Sequence, residues 1–318
     1  MKNILFVSLL IILMSGCNKS INGEVIFVEP DLDDLFNYPY FLFIPNGVSE
    51  DKMNYLIIEP NNSGFADDDL HKHKEKAKRI ATLDYYLGNW IARKLTYPLI
   101  VPVFPRTESD WKTYTHALDR DVMLQKGNSL ERLDNQLINM CLDAEGKLKE
   151  RNVKIENRYI LTGFSASGTF VNRFTLLHPD KVQVAAAGGL NGLLMLPMDS
   201  LENEPLRYPI GTGDLIQITG SDFLRDQFFN TPQFYFMGEL DDNDAVPYDD
   251  AFDLEERDQI FRLLGEQMIP ARWVKCIDIY NESNVNTLFK TYKNVGHEHP
   301  EVVKNDILDF LLLNTNLN

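Results

Sequence analysis

The sequence predicts an α/β protein in which a mostly parallel sheet is covered by helices on both faces. Strand-like and helix-like segments alternate along the chain, as they do in folds with parallel sheets. The strand-like runs at 159–162, 182–187 and 233–237 are apolar almost throughout, which is typical of strands buried on both faces. The chain of 318 residues is 44% hydrophobic, and α/β folds of this size occur as single units.

The first half of the chain supplies scaffold elements. Strands are predicted at 24–29, 39–44 and 54–59, and a further strand at 98–104 carries prolines that place it near an edge or in a bend. One long helix follows the third strand, with its buried face marked by Ala77, Ile80, Leu83, Leu87, Trp90 and Ile91. A second helix is introduced by Asn128 and Glu131 at capping spacing, and its apolar stripe consists of Leu130, Leu133, Leu137 and Cys141.

The stretch Gly163-Phe164-Ser165-Ala166-Ser167-Gly168 lies between a strand and a helix. A serine on such a turn is typical of a nucleophile elbow, where small neighbours allow a tight bend and the helix N-terminus supports a developing oxyanion. Ser165 is at the tip and is the candidate nucleophile, with Ser167 as the alternative. An ordinary βα turn is the competing interpretation, and the positions of the other catalytic groups argue against it.

The candidate acid and base follow later strands in the order Ser, Asp, His. The strand at 233–237 opens into an acidic loop in which Asp241 is the preferred acid and Asp244 competes with it. A strand at 287–293 is followed by Gly296 and His297, the candidate base, just before a C-terminal helix. Such a histidine must accept the serine proton on one ring nitrogen and donate to the carboxylate from the other. His299 is expected to face solvent.

These three motifs resemble the serine esterases of the α/β-hydrolase superfamily, in particular the exported esterase and polyester-depolymerase branch. The resemblance covers residues 40–318, which are expected to form one domain. It departs at Ser167, where the family usually has glycine, with Gly168 displaced by one. The resemblance implies two oxyanion donors: the backbone N–H of Ala166 and a donor near Asn62 in the loop after the third strand.

Two segments are expected to shape the pocket. Residues 190–232 are predicted to form a small cap insertion, with Leu193, Met195 and Phe223 among its lining residues, although sheet-covering helices are the simpler alternative. The loop Arg106 to Trp111 follows the fourth strand, and Trp111 is a candidate lining residue or a core aromatic.

Composition limits the partners. The net charge of −16 argues against a nucleic acid or an anionic membrane surface. His71 and His73 are interpreted as part of a solvated helix start, since no Cys or carboxylate at suitable spacing completes a metal site. No metal and no cofactor is expected. Cys141 and Cys276 can form a disulfide, but Cys141 on an apolar helical face is more simply a buried thiol.

The N-terminus resembles a bacterial lipoprotein signal. Met1-Lys2-Asn3 is followed by an apolar stretch, 4–14, that is too short to span a bilayer, and by Ser15-Gly16-Cys17. The resemblance implies that residues 1–16 are removed and that Cys17 is lipidated. The expected location is the bacterial cell envelope, periplasmic or surface-facing; an ordinary secretory signal is the alternative.

The sequence therefore predicts a serine hydrolase that cleaves small-molecule or polymeric carboxylic esters through an acyl-enzyme intermediate. Two other classes stay open. A peptidase on the same fold would use the same triad, and a non-catalytic lipoprotein would use the fold to bind a glycan or a lipid.

Overall fold

The computed structural model describes residues 21–62 and 64–315. Its strands are β1 (Gly23–Val28), β2 (Tyr40–Pro45), β3 (Met53–Asn54), β4 (Ile57–Ile58), β5 (Leu99–Pro102), β6 (Lys154–Ile155), β7 (Tyr159–Phe164), β8 (Val182–Gly188), β9 (Ser200–Leu201), β10 (Glu204–Pro205), β11 (Gln233–Gly238) and β12 (Thr287–Tyr292). Its α-helices are α1 (Leu70–Thr82), α2 (Leu87–Leu95), α3 (Arg120–Met123), α4 (Leu133–Lys149), α5 (Ala166–Leu177), α6 (Leu215–Thr219), α7 (Arg225–Asn230), α8 (Leu254–Leu264), α9 (Trp273–Glu282) and α10 (Glu301–Asn314). Short 3₁₀ turns cover Thr115–Ala117 and Pro179–Lys181, and a π-helical turn covers Met268–Arg272.

Within the described residues, eight strands form the main sheet in the order β1-β2-β5-β4-β7-β8-β11-β12. β2 runs antiparallel to both of its neighbours, and every pairing from β5 to β12 is parallel. The predicted mostly parallel α/β sheet is confirmed. Because the parallel strands share one direction, the loops after their carboxyl ends meet at one edge of the sheet, where ligands bind in such folds.

Side chains alternate between two buried layers, one on each face of the sheet. In β11, Tyr235 and Met237 join the layer that contains residues of α4, α5 and α9, while Phe234 and Phe236 join the layer that contains residues of α1, α2 and α10. This period of two in an unbroken apolar strand is what a doubly covered sheet requires.

Four details differ from the sequence-based expectation. The strand predicted at 54–59 is divided, because Asn54 pairs with β6 in a separate small sheet and only Ile57–Ile58 enters the main one. The single long helix is two helices, since Leu83 takes an extended conformation and its N–H closes α1 on the carbonyl of Arg79. Both helices bury the same side against the sheet, so the apolar spacing runs on across the break.

β5 lies inside the sheet between β2 and β4, not at an edge. Its prolines, Pro98 and Pro102, stand before the strand and at its last residue, so neither interrupts its centre. α4 begins at Leu133, later than the predicted cap. Asn128 instead accepts the Leu130 N–H and Glu131 accepts the Gly127 N–H, which stabilises the turn before the helix.

No helix within 21–62 and 64–315 combines the length and the apolar character that crossing a bilayer requires.

Candidate active site

Ser165 occupies the turn between β7 and α5 with φ +63° and ψ −130°. This backbone conformation is rarely adopted by residues other than glycine and costs on the order of 1–3 kcal/mol. Two backbone hydrogen bonds hold it: Ser165 N–H donates to Gly188 O at 3.0 Å, and Ser165 O accepts from Thr169 N–H at 3.0 Å. The side chain is half-buried in a cleft at the carboxyl edge of the sheet.

Two glycines make this turn sterically feasible. A Cβ at Gly163 would collide with the backbone carbonyl of Ser167, and a Cβ at Gly168 would stand 2.6 Å from the carbonyl oxygen of Gly188. The helix therefore packs directly against the end of its own strand and against β8. This close approach is the reason for the spacing of small residues that the sequence shows.

Ser167 braces the turn from inside. Its Oγ accepts the Phe164 N–H at 3.0 Å and donates to the Phe164 carbonyl at 2.8 Å, and the residue is 1% exposed. A hydroxyl with both partners on the backbone stabilises the elbow. In this geometry Ser165 is the serine that faces the cleft.

His297 and Asp241 are in direct contact. The two carboxylate oxygens of Asp241 lie 3.1 and 3.0 Å from His297 Nδ1. The carboxylate is almost fully buried and also accepts the Asn243 N–H at 3.0 Å. Because Nδ1 faces the acid, Nε2 is the ring nitrogen available to the cleft. The Phe164 ring packs against the imidazole with centroids 4.6 Å apart.

Asp244, the competing acid, has a different partner. Its carboxylate forms an ion pair with Arg272, whose side chain is fully buried, and accepts the Val246 N–H at 3.1 Å. Of the two acids that the sequence left open, the structure brings Asp241 to His297 and directs Asp244 to Arg272.

Two asparagines that sequence reasoning did not single out contact the serine. Asn191 Oδ1 lies 3.4 Å from Ser165 Oγ, and Asn243 Nδ2 lies 3.5 Å from the same oxygen and 3.2 Å from His297 Nε2. The described residues show no direct hydrogen bond between Ser165 Oγ and His297 Nε2. Their positions in the sequence could have identified them. Asn191 lies just after the Gly188-Gly189 pair, and Asn243 lies two residues after Asp241.

The predicted oxyanion donors flank the elbow. Ala166 is the first residue of α5, so its N–H has no acceptor within the helix. Asn62 donates its side-chain amide to the Phe164 carbonyl at 2.8 Å, which ties the loop after β4 to the elbow. Asn61 is buried beneath this loop and exchanges two hydrogen bonds of 3.1 Å with the backbone of Phe104.

The cleft around Ser165 has a volume of about 750 Å³. Its lining residues are Gly64, Arg106, Trp111, Tyr114, Ser165, Asn191, Asn243, Asp244, Ala245, Pro247, Tyr248, Asp249, Asp250 and His297. Trp111 and Tyr248 are exposed aromatic walls, at 45% and 64%. Trp111 thus lines the cleft. The Arg106 guanidinium stacks on Tyr114 and pairs with Asp250, which joins the loop after β5 to the loop after β11.

The prediction that Leu193, Met195 and Phe223 line the cleft is wrong. Leu193 and Met195 are buried in the core and Phe223 packs against it, so none of them lines this cleft. Apolar side chains in this segment are needed to cover the sheet. Asn191 is the residue of 190–232 that reaches the site. The role of the segment as a cap over the substrate stays a prediction.

Two histidines differ from expectation. His73 is fully buried rather than solvated, and its Nε2 lies 2.9 Å from Asp67 O. His299 packs against Phe164, with centroids 4.9 Å apart, and burial lowers its pKa to about 4. It is therefore neutral at pH 7. Desolvation opposes the charged form of a buried imidazole.

Cys141 and Cys276 are both free, buried thiols. The described residues contain no group of three His, Cys, Asp or Glu side chains arranged to hold a metal ion. The proposed lipidation site, Cys17, lies outside the described residues.

Solved structures share this architecture. Poly(aspartic acid) hydrolase-1 from Sphingomonas sp. KT-1 is 15% identical with a TM-score of 0.55, and the match covers 86% of this chain and 92% of that one. FphF, a fluorophosphonate-binding serine hydrolase of Staphylococcus aureus, is 12% identical with a TM-score of 0.50, over 92% and 99% of the two chains. Together with the sheet order, these likenesses show that the chain has the α/β-hydrolase fold. No family model and no curated protein matches it.

Proposed function

We propose that the protein is a serine hydrolase that cleaves carboxylic esters through an acyl-enzyme intermediate. The observation that carries the proposal is the pairing of His297 Nδ1 with Asp241, at 3.0 and 3.1 Å, in the same cleft as a serine on a strained strand-to-helix turn. An acid, an imidazole and a serine in this relation are the parts that nucleophilic acyl transfer requires.

In the proposed reaction His297 Nε2 takes the Ser165 proton as Oγ attacks the ester carbonyl carbon. The carbonyl π electrons move to the oxygen, and the N–H groups of Ala166 and Asn62 stabilise that charge. The carbonyl then re-forms as the bond from its carbon to the alcohol oxygen breaks, and His297 gives the proton to the leaving alcohol. Asp241 holds the imidazole in its tautomer and stabilises the cation. Water hydrolyses the acyl-enzyme by the same steps, and no cofactor takes part.

A peptidase is the second candidate, because a structural neighbour is named for the hydrolysis of poly(aspartic acid), a polyamide. The same triad would serve both reactions. The two differ in leaving group, so matched ester and anilide substrates separate them.

The test is hydrolysis of chromogenic esters of increasing acyl length, and of matched anilides, by protein lacking residues 1–17. The Ser165→Ala variant should lose roughly four to six orders of magnitude in turnover with an unchanged melting temperature. Ester turnover that persists in the variant would contradict the assignment of Ser165. Faster turnover of anilides than esters would favour the peptidase.

For location, we propose export followed by lipidation of Cys17, which would tether the enzyme to the cell envelope. The support is the order of a positive start, an apolar stretch and small residues before Cys17. Expression of the full chain in a bacterium should give a membrane-bound protein, and Cys17→Ser should release it or leave the signal uncleaved. Equal membrane binding of both proteins, with the signal cleaved in both, would contradict lipidation.

A further inference from the structure

The Ser165 hydroxyl contacts two asparagines and makes no hydrogen bond to His297 within the described residues. Its Oγ lies 3.4 Å from Asn191 Oδ1 and 3.5 Å from Asn243 Nδ2. The same Asn243 nitrogen lies 3.2 Å from His297 Nε2 and 3.5 Å from Asn191 Oδ1. The amide of Asn243 therefore lies between the nucleophile and its base.

The chemistry of these groups fixes the direction of each hydrogen bond. An amide nitrogen only donates, so His297 Nε2 accepts from Asn243. An amide oxygen only accepts, so the Ser165 hydroxyl donates to Asn191. The acceptor that the Ser165 hydroxyl contacts is therefore Asn191 Oδ1, at 3.4 Å, and not His297 Nε2. General-base catalysis needs the serine proton within hydrogen-bond reach of the base.

We propose that Asn191 and Asn243 form a latch that keeps Ser165 inactive until the substrate displaces the Asn243 amide. The proposal rests on the serine hydrolase function proposed above. Displacement leaves His297 Nε2 without a donor, and a change of the Ser165 side-chain rotamer then brings the hydroxyl to it. The proton passes from Oγ to Nε2 as the bond from Oγ to the carbonyl carbon forms.

The two asparagines are suited to different parts of the latch. Asn191 is 8% exposed, and its backbone N–H donates to Thr169 Oγ1 at 3.0 Å, so its position is fixed. Asn243 is exposed, and its backbone N–H is bound to Asp241 at 3.0 Å. Its side chain can rotate about a fixed backbone without disturbing the acid. The Asn243 side chain is thus the mobile part of the latch, and we call it the arm.

The position of the arm assigns it to the alcohol side of the substrate. The alcohol oxygen of a bound ester must come next to His297 Nε2 to receive the proton, and the Asn243 amide occupies that place. Substrates whose alcohol portion fills this position open the latch as they bind. Asn243 is therefore a positioning residue that couples the leaving group to nucleophile activation.

The experiment measures the second-order rate constant for labelling of Ser165 by a small alkyl fluorophosphonate. This probe has no alcohol portion large enough to displace the Asn243 amide from His297. Asn243→Ala should label about fivefold faster or more, the equivalent of one lost net hydrogen bond. Leu240→Ala is the control, since Leu240 is an exposed, uncharged residue of the same loop outside the cleft lining. It should label at the wild-type rate.

Asn191→Ala provides the independent variant and should also accelerate labelling, while the double variant should gain less than the product of the two. Wild-type labelling that neither single variant accelerates would overturn the latch and leave the hydrolase intact. Absence of labelling in the wild type and in all variants, with folding verified by thermal melting, would overturn both the latch and the proposed function.

Discussion

The elbow at 163–168 and the acid loop at 238–250 both follow parallel strands, yet they are held in different ways. The elbow is stabilised by its own residues, because Gly163 and Gly168 permit the close approach and Ser167 bonds the backbone three residues earlier. The acid loop is held by arginines that lie outside it in sequence: Arg272 pairs with Asp244, Arg257 with Asp249, and Arg106 with Asp250.

The difference separates a locally encoded site from one encoded by tertiary contacts. The small residues that permit the turn of the elbow lie within six consecutive positions, whereas each acid of the loop acquires its role from its partner. Asp241 is the acid of the proposed triad because His297 reaches it, and Asp244 is a structural acid because Arg272 does. Neither aspartate should therefore be able to replace the other. Loss of the Asp241 carboxylate should lower turnover, whereas loss of the Asp244 carboxylate should lower the free energy of unfolding.

Among variants of the acid loop, the largest effect on turnover is expected from Asp241→Asn. The asparagine keeps the shape but favours the wrong imidazole tautomer, so turnover of an ester substrate should fall by roughly four orders of magnitude. Stability should change little, and equilibrium unfolding in urea is the control. Activity within tenfold of wild type would mean that another group orients His297.

Asp244→Asn should lower stability and leave turnover nearly unchanged. Loss of this carboxylate leaves the fully buried Arg272 cation without its partner, which costs about 3–5 kcal/mol of unfolding free energy. Urea unfolding measures the loss, and residual activity per folded molecule should stay within about tenfold of wild type. A stable but inactive variant would indicate that Asp244 serves the reaction directly.

The helix that follows the acid loop, α8, should give stability a pH dependence that the uncharged elbow cannot supply. It begins at the capping box of Asp253 and Glu256, and burial raises the pKa of Glu256 to about 7. Its stabilising contribution is complete below the unfolded value of 4.5 and is lost as pH rises through 7. The slope contributed by this one group is at most about 1.4 kcal/mol per pH unit.

Glu256→Gln should remove that slope. Burial moves the pKa of Asp119 to about 7 and that of Glu59 to about 8, so both add slopes of the same sign, and the difference between wild type and variant isolates Glu256. Urea unfolding at pH 5, 6 and 7 provides the comparison. Parallel stability curves for the two proteins would show that Glu256 does not titrate in this range.

The smallest effect is expected from Ser167→Ala. The variant removes two hydrogen bonds to the Phe164 backbone but leaves both elbow glycines, so it should lose about 1–2 kcal/mol of stability and less than tenfold in activity. Thermal melting and ester turnover measure the two quantities. An activity loss as large as that of Ser165→Ala would contradict a purely structural hydroxyl.

The same contrast explains what the sequence could predict. The sheet, the elbow and the order of Ser165, Asp241 and His297 follow from local patterns, since periodicity and glycine spacing are properties of neighbouring residues. The choice between Asp241 and Asp244 needed the position of Arg272. The break between α1 and α2 preserved the apolar spacing, so periodicity could not reveal it.

The sequence analysis missed residues whose role depends on contacts with distant parts of the chain. Asn191 and Asn243 belong to different loops and meet only because β8 and β11 are neighbours in the sheet. His299 looked exposed in sequence, but the Phe164 ring of the elbow covers it. Leu193 and Met195 were assigned to the cleft, because an apolar run does not reveal whether it faces a substrate or the core.

The most direct test of the central claim is localisation of the fluorophosphonate adduct by mass spectrometry. Trypsin is expected to release residues 159–173 as one peptide, which carries both Ser165 and Ser167, so fragment ions must assign the modified residue. The account predicts the adduct on Ser165 and none on a protein in which His297 is replaced by alanine. An adduct on Ser167, or equal labelling without His297, would contradict it.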